Sequence, residues 1–155
     1  MKNILLLLAF IFTITSSAQY AIVSAVDLRE GTENDYLQTE KFWGPLHKKA
    51  IEDGVQTQQA VWKVIQTNDQ RDNPADYFII TSFASKEQLA NYSSADYGAY
   101  AQEVYKGKMS RRAISRMFEA SPNSSNERRN YHIEGVSWTI LAGGDLEPGD
   151  RMSIT

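Results

Sequence analysis

The chain contains no cysteine and only two histidines in 155 residues. Without cysteine there is no disulfide framework, no thiolate nucleophile and no thiolate metal site, so stability has to come from packing. The same absence excludes the lipid-modified cysteine of an exported lipoprotein. His47 and His132 lie far apart in sequence with no Asp or Glu cluster beside them, so metal-ligand spacing is missing. There is no serine nucleophile elbow, phosphate-cradling glycine loop or dinucleotide fingerprint, since Ala142-Gly143-Gly144-Asp145 lacks the glycine spacing and the helix. No cofactor is therefore expected. A net charge of −3 argues against general nucleic-acid binding. No apolar run reaches the roughly 20 residues that span a bilayer.

What the N-terminus does have is an export pattern. Lys2 supplies a positive start, Ile4 to Ile14 an apolar run broken only by Thr13, and Ser16-Ser17-Ala18 small residues at the cleavage positions. Residues 1–18 are read as a signal peptide cleaved after Ala18, which gives a soluble product in the periplasm or outside the cell, with no membrane span in the mature chain. Loss of Lys2 moves the formal charge from −3 to −4. Residues 19–141 are read as one domain of a size able to bury a real core. Residues 142–155 form a tail whose turn signals precede a short stretch, Arg151 to Thr155, read as an edge or swapped strand or as a truncated continuation.

Within the domain, Tyr20 to Leu28 has strand composition and ends in a turn. Thr32 is placed to cap a helix, and Glu33 and Asp35 suit its positive end. Tyr36, Trp43, Leu46 and Ala50 recur at helical spacing up to about Asp53, with Gly54 as the stop. Pro45 removes an internal hydrogen bond and predicts a kink or restart. Gln58 to Thr67 and Tyr77 to Phe83 read as strands joined by a polar loop, an antiparallel hairpin. Ser85 and Gln88 fit a capping box for a helix from Lys86 that breaks near Ser93-Ser94. A second segment starts at about Asp96 and continues less cleanly through Ile114, Met117 and Phe118. Tyr131 to Leu141 reads as the last strand, with a bulge near Gly135.

The order strand, helix, strand, strand, helix, strand predicts an α+β fold of ferredoxin-like type: βαββαβ, a four-stranded antiparallel sheet with helices on one face. Its uncovered face would carry large apolar residues such as Trp62 and Trp138, so a homodimer through the sheet face is expected. On this element order, on Phe42-Trp43-Gly44-Pro45-Leu46-His47, on Trp62 and on Tyr77-Phe78-Ile79-Ile80, the chain resembles the dimeric α/β-barrel superfamily. That superfamily includes antibiotic-biosynthesis-type monooxygenases and many exported proteins. The resemblance implies two subunits packed sheet against sheet, each with a pocket between sheet and helices. The haem-degrading branch uses a histidine on the second helix, and Lys86 to Ala120 contains none, which counts against haem.

The residues singled out for chemistry are few. His47 shares a helical stripe with Trp43 and Ile51 and is either a general base facing the pocket or a histidine at the edge of the core. Trp43, Trp62, Tyr97, Tyr100 and Trp138 are the candidate ligand-binding residues, since aromatic walls with polar tips suit a flat, partly polar ligand; ordinary core packing would use the same spacing. Seven of the sixteen basic residues fall between Lys106 and Arg129, read as an anion-attracting segment or as a solvated face. Two functions follow. The first is an exported protein binding a small hydrophobic or aromatic ligand. The second is a cofactor-independent monooxygenase-like or isomerase-like enzyme with His47 as base.

Overall fold

Strand β1, Tyr20–Leu28, alternates Ile22, Ser24 and Val26 with Ala21, Val23 and Ala25, so each face of the strand receives its own set of side chains. The computed structural model to which it belongs describes residues 20–65 and 67–136. The expected signal peptide, Trp138 and the tail lie outside the described residues. Helix α1 is Glu33–Glu52, strand β2 Gln58–Lys63 and strand β3 Tyr77–Phe83. Helices α2, Lys86–Asn91, α3, Tyr97–Val104, and α4, Arg111–Ala120, precede strand β4, Ser125–Glu134. The sheet order is β2-β3-β1-β4 with every pair antiparallel.

Helix α1 runs unbroken through Pro45. The expected restart does not occur. Thr32 does not cap it either: its Oγ lies 2.8 Å from the Arg29 carbonyl and 2.7 Å from the Ser124 carbonyl. Its single proton serves one of these at a time and ties the start of α1 to the turn before β4. The helix stop is as expected. Gly54 takes φ +72°, Gly54 N–H donates to Ile51 O and Val55 N–H to Ala50 O, the pairing of a Schellman motif.

Ser85 accepts from Gln88 N–H at 3.1 Å, but the Gln88 side chain reaches Ala84 N–H rather than Ser85. The break at Ser93-Ser94 is a turn of 3₁₀ helix, and Asp96 then caps α3. The segment expected as one helix from Asp96 to Ala120 is two, because Gly107 at φ +74° turns the chain and Ser110 caps α4 anew. Strand β4 begins six residues earlier than the reading from Tyr131, and the register irregularity sits opposite Asp27 and Leu28 rather than at Gly135. Arg128 and Arg129 are therefore strand residues, which divides the basic segment between α4 and β4.

The apolar interior is in two parts. Val26, Tyr36, Tyr77 and Ile79 pack where the first half of α1 lies on the sheet. Phe42, Leu46, Ala101 and Ile114 join α1 to α3 and α4, with Trp43, Tyr97, Tyr105 and Phe118 around them. Phe42 stacks on Tyr105 at 5.2 Å, and the Tyr105 hydroxyl donates to the Phe42 carbonyl at 2.8 Å. The second helical region thus packs on the flank of α1, over the same sheet face.

The opposite face carries Ala60, Ile80, Val23 and Tyr131 in one register row and Trp62, Phe78, Ala25 and Arg129 in the next. Tyr131 and Ile133 on it are about half exposed, at 46% and 48%. Among the described residues no helix is long and apolar enough to cross a membrane.

Candidate functional site

Between the two parts of the core lies a cavity of about 350 Å³. Its roof is α1, which presents Glu40, Trp43 and His47 one turn apart along a single stripe. Tyr92 and Tyr97 close one side and Ser121 another. The floor is the sheet, and register orders it: Gln59, Thr81, Ile22 and His132 form one row, and Ile79, Ser24 and Asn130 the next, with Arg128 beyond.

His47 is buried, and its Nδ1 is 3.3 Å from Gln56 Oε1 and 3.3 Å from the Tyr97 hydroxyl. The Tyr97 hydroxyl is 3.1 Å from the same Gln56 oxygen. An amide oxygen accepts two protons, so the network is satisfied when Tyr97 O–H and His47 Nδ1–H both donate to Gln56. Assigned in this way, the tautomer leaves the Nε2 lone pair for an occupant of the cavity. Gln56 Nε2 is buried without a partner among the described residues.

Burial lowers the His47 pKa to about 4, and the Gln56 hydrogen bond pulls the other way. No ionised neighbour compensates. Burial, with help from Tyr92, raises the Tyr97 hydroxyl far above its ordinary value. Burial also raises the Glu40 carboxyl, against the opposing influence of Tyr36 and Arg128. Trp43 is fixed by its indole N–H, which donates to Ser121 Oγ at 3.0 Å, and by edge contacts to Tyr97 and Phe118.

With sheet order, helix placement and cavity defined, the chain can be set beside solved structures. A hypothetical protein of Arabidopsis thaliana has 11% identity over 80% of this chain and 94% of its own, with TM-score 0.51. A dimeric ferredoxin-like protein from an uncultured marine organism has 14% identity over 82% and 96%, with TM-score 0.50. The fold is ferredoxin-like. An antibiotic biosynthesis monooxygenase-like protein of Nitrosomonas europaea is also similar, at 8% identity over 76% and 99% and TM-score 0.47. No family model and no curated protein matches the chain. At such identities the ferredoxin-like neighbours share the fold and assign no activity.

Of the residues singled out from sequence, His47, Trp43 and Tyr97 meet in the cavity. Tyr100 does not line it: its ring packs on Tyr97 at 5.6 Å, under the Lys49 ammonium. Trp62 pairs with Phe78, on the far face of the ferredoxin-like sheet from Ile79, so it belongs to the open face. Trp138 lies outside the described residues. The sequence reading missed Glu40, Gln56 and Gln59; it held Arg128 only as part of the basic segment, and it missed Asn130. The signal for the last two is the alternation Arg128, Asn130, His132 against Arg129, Tyr131, Ile133. Among the described residues no group of three or more His, Asp or Glu gathers in metal-binding geometry.

Proposed function

We propose that this chain is an exported, homodimeric protein that binds a small molecule in the cavity between sheet and helices. The state of His47 carries binding over catalysis. A general base works best with a pKa near the operating pH, and an imidazole held at about 4 is a weak proton acceptor. Its Nδ1 partner is an amide, which does not stabilise an imidazolium as a carboxylate would. Trp43, Tyr92 and Tyr97 offer aromatic walls with polar tips to an occupant.

Homodimerisation is supported by the apolar rows of the open face, through Val23, Ile80 and Trp62. Export is supported by the Met1 to Ala18 pattern. The second reading, a cofactor-independent monooxygenase-like or isomerase-like enzyme, draws on one observation: His47 lines the cavity, and only its Nδ1 has hydrogen-bond partners among the described residues.

A thermal-shift screen of metabolite-sized compounds, followed by calorimetry, tests the binding reading. Ligands should raise Tm without being consumed, and Trp43→Leu should abolish the effect. Consumption of a ligand that ceases in His47→Gln would replace binding by catalysis. N-terminal sequencing of the exported product should begin at Gln19.

A further inference from the structure

We propose that the occupant of this cavity is a neutral, polyhydroxylated ring of about monosaccharide size, an inference that rests on the binding reading and narrows it. A sheet face under a helix is ordinarily an apolar surface. Here Ser24, Gln59, Thr81, Arg128, Asn130 and His132 occupy it, and only Ile22 and Ile79 are apolar.

These six side chains make no hydrogen bond to another protein group among the described residues; Thr81 is buried, Ser24 and Gln59 are half-buried, and Arg128, Asn130 and His132 are exposed at the mouth on edge strand β4. They therefore face the cavity with their hydrogen-bonding capacity unspent. A purely hydrophobic occupant would strip water from Ser24, Gln59 and Thr81 without replacement, at about 1–3 kcal/mol for each group left unsatisfied.

The chemistry of the set is mixed in a particular way. Hydroxyls, carboxamides and an imidazole both donate and accept, which matches ligand hydroxyl groups that do the same. The charges do not select an ion. Arg128 is offset by Glu40, one on the floor and one on the roof, so a carboxylate drawn to the first meets the second. The roof completes the match. Trp43 presents an indole held in place through Ser121, and the electron-rich face of such a ring attracts the polarised C–H groups on one side of a sugar. The volume, about 350 Å³, is at the low end of the roughly 300–1,000 Å³ typical of ligand pockets.

The test is saturation-transfer NMR followed by calorimetry on the mature protein. The probes are glucose, galactose and rhamnose at millimolar concentrations, set against 4-hydroxybenzoate and 1-naphthol. At least one neutral sugar should bind, and Asn130→Leu and Trp43→Leu should each weaken it by roughly tenfold or more. Thr81→Val, which removes one hydroxyl with little change of shape, should weaken it in the same direction. Lys86→Ala, on α2 away from the cavity, should leave binding unchanged. Thermal unfolding of each variant separates loss of contact from loss of fold. Sugars failing while 4-hydroxybenzoate or 1-naphthol binds in a Trp43-dependent manner would overturn the polyol inference and leave the binding reading standing. Failure of every probe would overturn the polyol inference, and the wider thermal-shift screen then decides the binding reading by itself.

Discussion

Replacing His47 by glutamine should flatten the acid dependence of stability. The imidazole is buried, its folded pKa is about 4 against an ordinary 6.5, and the dominant cause is desolvation. Between these two values the unfolded chain carries the extra proton and the folded chain does not, so stability rises with pH. The contribution of the neutral buried ring is complete above pH 6.5, falls away as pH drops, and is gone below about pH 4. The separation between a folded value of about 4 and an ordinary 6.5 corresponds to about 3 kcal/mol. Glu40, raised by burial, contributes with the opposite slope, and the exposed Glu33 and Asp53, lowered by lysine partners, with the same slope at lower pH. All three remain in the variant, so the difference between the two proteins isolates His47. Urea unfolding at intervals from pH 7.5 to pH 4 should show the wild type losing about 3 kcal/mol more than His47→Gln. Parallel curves would refute the argument. So would an imidazole proton resonance for residue 47 that titrates near the ordinary histidine value.

Trp62→Glu puts a charge on the open sheet face, on the edge strand β2, and should turn a dimer into a monomer in sedimentation equilibrium, because burying an unpaired carboxylate is prohibitive. A wild type that sediments as a monomer would remove the paired-sheet arrangement. Gly54→Ala should cost about 1–2 kcal/mol through backbone conformation alone, since φ is +72° and nothing lies within 4 Å of the added carbon; unchanged Tm would contradict this. Leu46→Ala should cost about 2–5 kcal/mol in chemical denaturation, because the side chain is fully buried between α1, α3 and α4. A loss below 1 kcal/mol would mean that the site collapses around the cavity far more readily than about 2 kcal/mol allows.

Elements organised by hydrophobic period were legible in the sequence. Strand β3 lies where the reading put it, and β1 and α1 within a residue, because their apolar positions repeat at the spacing that the sheet and helix bury. Strand β4 was misplaced for the converse reason. Its sequence from Ser125 to Glu134 is largely polar: one face lines a polar cavity and the strand is at the sheet edge, so no apolar alternation marks its start. The alternation of Arg128, Asn130 and His132 with Arg129, Tyr131 and Ile133 separates two faces, and only the pairing partners on β1 say which of them lines the cavity. Gln56 was hidden differently. It lies in the link after α1, where polar residues are ordinary, and only the fold brings it against His47. The sequence reading puts Trp62 both on the open sheet face and among the ligand residues, and strand parity leaves only the first.

The Schellman stop at Gly54 also bears on how this protein can change over evolutionary time. Only residues 53–57 separate α1 from β2, and within them Gly54 O is held by the Gln88 amide and Thr57 N–H by the Ser82 carbonyl. One residue inserted there has two outcomes. Either Gln56 slides away from His47, or β2 shifts by one position, which would send Gln59 to the open face and Trp62 under the helix. Length variation among descendants of this sequence should therefore accumulate in the polar loop between β2 and β3 and be purged from this five-residue link.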